Sequence, residues 1–497
     1  MGKKVLIVGG VAGGATTAAR LRRLDEEAEI IMFERGADIS YANCGLPYYV
    51  GGMIEQRKHL LVQTPKAMHS RFNIDVRIRS EVQSIHIAEK QVLVKNWLDD
   101  SSYLESYDYL VLCPGARPIL PPIPGIDSEN VFVVRNVPDS DAIKEYIIAR
   151  KPASVAVIGA GYIGLEMTEM IQELGLKVTL IEAAEQILAP FDYDMASIVQ
   201  EYVEKQGITL LLSDKVVAMQ GTDRVETIQL ESGKIIPVDL VIMGTGVKPE
   251  TTLAKQGGLK LGETGGILVD DHLRTSDPNI YAAGDVIEVR DYVSKEASLI
   301  PLAGPANRQG WVVANNIAGN EKKYHGSQGT SIVKFEKMTA AATGLNEKQL
   351  QKKGIEYLVC HAHPFSHATY YPGSTQMCIK LLFTPTEGKV IGAQVVGFDN
   401  VDKTADVLAT AIRAGLNVYD LQELELAYAP PFSSAKSPVN MIAYVAGNIL
   451  DENVEVIAWK EVRDLVNNGA YLIDARTEKE VEKLETVPGA VNIPVTT

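Results

Sequence analysis

Two segments of this chain share one grammar, and no other feature narrows the fold as far. In each, a short apolar strand runs into a glycine cluster, an Ala-rich helix and a second apolar strand ending in an acid. The first runs Val5-Leu6-Ile7-Val8, Gly9 to Gly14, a helix from about Ala15 to Leu24, and Ile30 to Glu34. The second runs Val155-Ala156-Val157-Ile158, Gly159 to Gly164, a helix from about Leu165 to Leu174, and Val178 to Glu182. Each reads as a βαβ dinucleotide-binding unit, so the chain is expected to hold two dinucleotides.

In Gly159-Ala160-Gly161-Tyr162-Ile163-Gly164 the first glycine permits the tight turn and the second lets the backbone approach a pyrophosphate. The third lets helix and strand pack closely, and the free N–H groups at the helix start favour an anion. Glu182, 18 residues past Gly164, suits a ribose diol; Ala183-Ala184-Glu185 offers no cation for a 2′-phosphate, which favours NADH over NADPH, with tolerance of both left open. The first copy has Val11 where the second glycine belongs, between Gly9, Gly10, Ala12, Gly13 and Gly14, but keeps its acid as Glu34, 20 residues past Gly14. A third apolar strand, Asn279 to Ala283, runs into Gly284-Asp285. A carboxylate displayed after a buried strand beside a helix start suits the ribityl hydroxyls of a flavin.

Composition excludes several alternatives. With 497 residues, 48 Lys+Arg against 63 Asp+Glu, a net charge of −15 and 46% hydrophobic residues, the chain is globular, with roughly three compact units expected. Its acidity argues against a nucleic-acid partner. No run approaches the roughly 18 apolar residues of a membrane span, and the apolar start at Val5 reads as a buried strand rather than a leader, so a cytoplasmic protein is expected. From about Thr330 the texture turns to alternating strands, with helices near 402–414 and 437–447, an α+β domain. The expected units are 1–149 and 248–326 for the flavin, 150–247 for the nicotinamide, 327–450 for dimerisation, and 451–497.

The four cysteines have no disulfide or zinc spacing, and no metal is expected. Cys44, in Ser40-Tyr41-Ala42-Asn43-Cys44-Gly45-Leu46-Pro47-Tyr48, follows the first acidic strand end where a helix is expected to start, and that dipole would lower the thiol pKa. Position 49 is Tyr49, so no local disulfide can form; the oxidised state must be a mixed disulfide, persulfide or sulfenic acid. Cys113, Cys360 and Cys378 lie in apolar strands and read as core. His361, His363 and His367 read as a loop.

These features resemble the pyridine nucleotide-disulfide oxidoreductases, in particular the single-cysteine branch of coenzyme A disulfide reductases and NADH-dependent persulfide reductases. The resemblance spans about residues 3–450, through the two glycine loops, Ser40 to Pro47, Asn279 to Asp285 and Ala427 to Lys436. It implies FAD, NADH or NADPH, coenzyme A as substrate moiety or tightly bound ligand, and a homodimer whose partner completes the site. Tyr370 and Tyr428 resemble the tyrosines directed at the cysteine sulfur from the other subunit, where a phenol eases thiolate departure. By the same resemblance Arg35, Val82, Gly115 and Ala303 join the flavin set, and Glu166 and Gly246 the nicotinamide set. Thr16, Arg20, Arg23, Ser40, Asn43, Arg71, Asn307 and Lys436 are carried over to coenzyme A.

The tail resembles the first half of a rhodanese domain through Leu472 to Thr477 and Val487 to Pro494. The expected architecture is therefore α/β, with two Rossmann-like domains, an α+β dimerisation domain and a partial rhodanese-like segment lacking its catalytic-cysteine loop. The expected activity is NAD(P)H-driven reduction of CoA disulfide, CoA persulfide or polysulfide. An NADH oxidase or peroxidase cycling through a sulfenic acid is the alternative enzyme, and a redox-sensing flavoprotein the non-enzymatic one.

Overall fold

Both glycine-loop segments fold as parallel sheets in the computed structural model, which describes residues 2–483 and 486–495. In the first, the strand order is Ile280–Ala282, Tyr109–Leu112, Lys4–Val8, Glu29–Glu34, Asp75–Ile78. In the second it is Thr209–Leu211, Lys177–Ile181, Ser154–Ile158, Leu240–Met243, Val131–Val133. Neighbouring strands in both are parallel. The unbroken apolar runs are explained by burial on both faces, with Val5, Leu6 and Ile7 wholly inside one core and Val155 and Val157 inside the other.

Both dinucleotide helices begin three residues earlier than expected, at Ala12 and Tyr162. Val11 and Gly161 are their N-caps, so the third glycine of each loop belongs to the first helical turn. The expected boundary at 149/150 also moves. The strand Val131–Val133 pairs with Leu240–Met243, and the helix Val137–Arg150 packs Val137 and Ile143 into the second core. A strand added in register completes a sheet whatever its place in the chain, and here it precedes the glycine loop. The chain then returns to the first sheet: Ile280–Ala282 pairs with Tyr109–Leu112, and the helix Ala303–Ile317 lies on Ala12–Leu24.

The C-terminal unit is an antiparallel sheet in the order Ser331–Phe335, Met338–Gly344, Val390–Gly397, Cys378–Phe383, Leu358–Ala362, with Val401–Ala414 and Pro438–Leu450 packed on it. His361 corrects the loop reading. It lies within a strand, opposite Lys380, and its Nε2 is 2.7 Å from Asp194 Oδ2 of the nicotinamide unit. A histidine on the outer face of a short edge strand carries no alternation signal of its own, so the strand is hidden in this Pro-containing stretch. His367, by contrast, is buried, beside Ser366 and Asp399.

That boundary centres on Lys380, whose side chain is 0% exposed. Its ammonium meets Asp192 at 3.2 Å, Asp194 at 2.9 Å, and Glu347. Lys380 and His361 hold the Asp194 carboxyl down to about 2 against the upward push of burial. The tail is different in kind. Its helix Trp459–Asn467 buries no residue, and the expected strand from Ala470 shrinks to Ile473–Asp474, paired with Val491–Asn492. Trp459 rests against Tyr193 with ring centroids 5.8 Å apart. Residues 484–485 and 496–497 of the segment expected to be rhodanese-like lie outside the described residues. Among those described, no helix is long and apolar enough to cross a membrane.

Replacing Lys380 by Met leaves the three carboxylates without their shared cation. Unfolding in denaturant should show a loss of about 3–5 kcal/mol; a loss under about 1 kcal/mol would mean the cluster is not an anchor.

Candidate active site

The two glycine loops separate what the fold needs from what a ligand needs. At Gly164 an added Cβ would sit 1.9 Å from the carbonyl oxygen of Gly159, and at Gly14 the same distance from that of Gly9, so both glycines are demanded by helix packing. At Gly161 a Cβ would meet nothing within 4 Å. Packing does not require glycine there; bare backbone facing open space is what a pyrophosphate requires. The helices starting at Ala12, Tyr162 and Ala303 have no side-chain cap, whereas Asn136, Asn346 and Ser437 cap other helices with full capping boxes. The two glycine-loop helices thus present uncapped N–H groups where phosphates are expected, although Tyr193–Lys205 and Val401–Ala414 start without a side-chain cap as well.

The acids are held by the backbone. Glu34 accepts hydrogen bonds from Gly10 N at 3.1 Å and Gly36 N at 2.8 Å, and Glu182 from Ala160 N at 2.8 Å and Ala184 N at 2.9 Å. Each carboxylate is thereby aimed across its own loop. Arg35 is exposed just beyond Glu34, Val82 is buried in the strand Ser80–His86, and Gly115 and Gly246 take φ of +74° and +95° past their strands. Ile163 is partly exposed on the first turn of its helix, and the Tyr162 hydroxyl bonds Ser331 Oγ across the domain boundary at 2.5 Å. Burial pushes the Asp285 carboxyl up, opposed by Arg135. Arg135 was not singled out in the sequence. Its Nε donates to Ala116 O at 2.5 Å, its charge also bears on Tyr41, and a Cβ on Gly115 would lie 2.9 Å from its Nη2. A single Arg before a helix carries no motif, so nothing in the sequence marks it.

Cys44 sits in the single turn Asn43–Gly45, which leads into the short helix Leu46–Val50. The segment is pinned at both ends. Ser40, at φ +46°, donates its N–H to Gly10 O at 2.7 Å, and a Cβ on Gly51 would lie 2.7 Å from Met170 Cβ on the second dinucleotide helix. Tyr49, where a second cysteine would stand, is buried and donates to Asp141 at 3.0 Å. The thiol reaches solvent, yet the expected lowering of its pKa is not what the protein groups produce. Desolvation pushes it up, and the charges of Glu166 and then Asp285 add to the shift. One turn of 3-10 helix and a five-residue helix supply too little dipole to offset two carboxylates. Because Asp285 belongs to the flavin unit and Glu166 to the nicotinamide unit, the same shift locates Cys44 between them. Cys113, Cys360 and Cys378 are pushed up to about 12 by burial; Cys360 and Cys378 are core, while Cys113 lies past its strand against Gly13.

Tyr370 and Tyr428, far apart in sequence, come together with hydroxyls 2.8 Å apart. They are 74% and 47% exposed, and their bond pushes the Tyr370 phenol up, keeping it protonated. Two adjacent phenols turned to solvent are an unusual expense of apolar surface. The cationic candidates gather on one side of the first unit. Arg20 lies over Trp311, Arg23 and Arg71 lie over Phe72 from two helices, and Thr16 donates to Asn307 Oδ1 at 2.6 Å. The Arg20 Nε is buried without a partner. Ser40 and Asn43 flank the thiol. Lys436 stands apart, on the C-terminal unit beside Tyr444.

The profile of the pyridine nucleotide-disulphide oxidoreductases matches residues 3–310, and that of the family's dimerisation domain matches residues 330–438. Coenzyme A disulfide reductase of Staphylococcus aureus is 38% identical over 445 residues, 89% of this chain and 99% of its own length. An NADH oxidase of Methanocaldococcus jannaschii is also 38% identical, over 88% of this chain and 98% of its own. Among solved structures, reduced Bacillus anthracis CoADR-RHD superposes with a TM-score of 0.97 at 50% identity, over 99% of this chain and 88% of that one. The NAD-dependent persulfide reductase from A. fulgidus does so with 0.93 at 36% identity, over 99% and 90%.

The two glycines should respond differently to the same substitution. Gly161→Ala should keep its unfolding midpoint within about 1 kcal/mol of the parent and raise the KM for nicotinamide nucleotide about tenfold. Gly164→Ala should fail to fold or lose most of its stability. Equal destabilisation of the two would refute the division of roles.

Proposed function

The chain belongs to the pyridine nucleotide-disulphide oxidoreductase family, and from that premise we propose that it uses NADH or NADPH to reduce coenzyme A disulfide, coenzyme A persulfide or polysulfide through Cys44 alone. The observation that carries the reading is the position of Cys44, whose thiol feels both Asp285 and Glu166 and has Tyr49 where a second thiol would be needed. The bare turn at Gly161, the uncapped helix starts and the buried Asp285 carboxyl suit an FAD and a nicotinamide dinucleotide. A bound FAD would supply the two-electron relay between nicotinamide and sulfur.

The chain's own residues do the rest. The Cys44 thiolate attacks one sulfur of the acceptor; a new S–S bond forms to Cys44, the acceptor's S–S bond breaks, and the departing sulfur carries away the electron pair. Two electrons then cleave the mixed disulfide and restore the thiolate. Tyr370 and Tyr428 of a second copy serve as hydrogen-bond donors to the departing sulfur, since on their own chain they face solvent. Arg20, Arg23 and Arg71 provide the positive rim for coenzyme A phosphates, with Thr16 and Asn307 beside them and Lys436 added from the partner copy. Ser40 and Asn43 receive the pantetheine arm. Glu34, Arg35, Val82, Gly115 and Ala303 line the flavin, and Glu182, Tyr162, Ile163 and Gly246 the nicotinamide nucleotide, with NADH favoured. The working units are a flavin domain split by the nicotinamide domain, then a dimerisation domain. A cytoplasmic setting keeps the thiol reduced between turnovers.

The rival acceptor is oxygen or peroxide, a reading favoured by the match to an NADH oxidase. The cation rim and the rhodanese-like pattern of the tail favour sulfur acceptors. NADH consumption measured on CoA disulfide, CoA persulfide, polysulfide and peroxide should be fastest on a sulfur acceptor and fall at least about a thousandfold in Cys44→Ser. Retained sulfur reduction in that variant would overturn the proposal. Mixing Cys44→Ser subunits with Tyr370→Phe/Tyr428→Phe subunits tests the shared site. Hybrid dimers should regain one working site in two, whereas sites contained within single chains would stay dead.

A further inference from the structure

We propose that Glu166, acting through Tyr48, is the group that exchanges a proton with the Cys44 site and thereby sets how readily that thiol ionises. The inference rests on the reading of Cys44 as the redox thiol. The Tyr48 hydroxyl donates to Glu166 Oε1 at 3.5 Å, and both side chains line a cavity of about 400 Å³ between the second dinucleotide helix and the C-terminal unit. The cavity's other walls include Lys334, Phe398, Asp399 and Asp402. Glu166 thus lines a space large enough for water.

The charges around Glu166 are arranged to keep its proton exchangeable. Glu169, one turn along the same helix, is 2% exposed, accepts from Glu336 N at 2.9 Å, and leaves its Oε2 without a partner. Lys334, on the facing strand, bears on Glu169, and Asp399 and Asp402 close the far wall. Tyr48 faces Glu166 from the Cys44 segment, and burial with the neighbouring carboxylates pushes that phenol up to about 12, so it stays protonated as a bridge. Burial, reinforced by Glu169 and opposed by the Tyr48 bond, pushes the Glu166 carboxyl up to about 7. The charge of Glu166 disfavours a thiolate on Cys44, so a proton on Glu166 eases ionisation of the thiol.

The exchange balances against the chemistry. When the Cys44 thiolate attacks a disulfide, its charge leaves on the departing sulfur. Glu166 then gives its proton through Tyr48 to that sulfur, which leaves as a neutral thiol. When two electrons from the nicotinamide cleave the mixed disulfide, Cys44 returns as a thiolate, the second half of the acceptor leaves as a thiol with the proton released on nicotinamide oxidation, and Glu166 takes a proton from water in the cavity. Each acceptor thus draws one solvent proton through this side of the site. Glu166 is a positioning residue here, since it works on Cys44 through Tyr48.

Alkylation tests this without relying on turnover. After reduction and desalting of the holoenzyme, the iodoacetamide rate at Cys44 is followed from pH 5 to 9. The other three thiols are pushed up to about 12 and stay silent. In Glu166→Gln the rate at pH 7 should rise severalfold, and the kcat profile should lose its inflection near 7. Glu166→Asp should restore that inflection, and Tyr48→Phe, which removes the link, should lower kcat and shift the alkylation profile in the same direction as Glu166→Gln. An unchanged alkylation profile in Glu166→Gln, or an inflection near 7 that survives there, would overturn the proposal. If Cys44 proved not to be the redox thiol, Cys44→Ser would keep its turnover while the alkylation result still stood, so the two failures are distinguishable.

Discussion

The closest approach that matters most is a contact between backbones and a methionine. Gly51 lies so near Met170 that any side chain there would collide, and eleven residues earlier Ser40 is hydrogen-bonded into the first glycine loop. Between these two fixed points the chain has little freedom, and Cys44 is carried on that stretch. The strained φ of Ser40 and the short helix Leu46–Val50 follow from having to bridge two sheets in few residues. The position of the thiol is therefore set by the packing of both dinucleotide units at once.

What surrounds that thiol opposes its ionisation. Desolvation and two carboxylates push its pKa up, and no cation among the described residues counters them. A nucleophile so placed depends on groups that arrive with ligand and partner. On the proposed reading the rim of arginines, the phenol pair and the electron relay would act only in the complete assembly, which would keep nicotinamide from being spent in the absence of acceptor.

Much of this was legible in the sequence because it rests on local grammar. Glycine spacing, strand-terminal acids and the cluster around Cys44 each need only a few neighbouring residues to be recognised. What the sequence hid is non-local. Val131–Val133 joins the nicotinamide sheet by edge pairing across many residues, Arg135 reaches Asp285 only once both sheets exist, and His361 meets Asp194 only across a domain boundary. The helix starts were placed late because a glycine in a first turn reads as loop. The direction of the Cys44 shift was missed for the same reason: a dipole can be read along the chain, while Glu166 is brought to the thiol by folding.

The two kinds of glycine differ in what natural variation can do to them. Gly164 is answerable to foldability, since its Cβ would occupy the space of a carbonyl oxygen, and every descendant of this fold inherits that demand whatever it binds. Gly161 carries no such packing demand, and on the proposed reading it would answer to the nucleotide alone. A lineage that abandoned the nucleotide would be free to drift at position 161 first, and the residue found there would record that loss while the rest of the loop still looked intact.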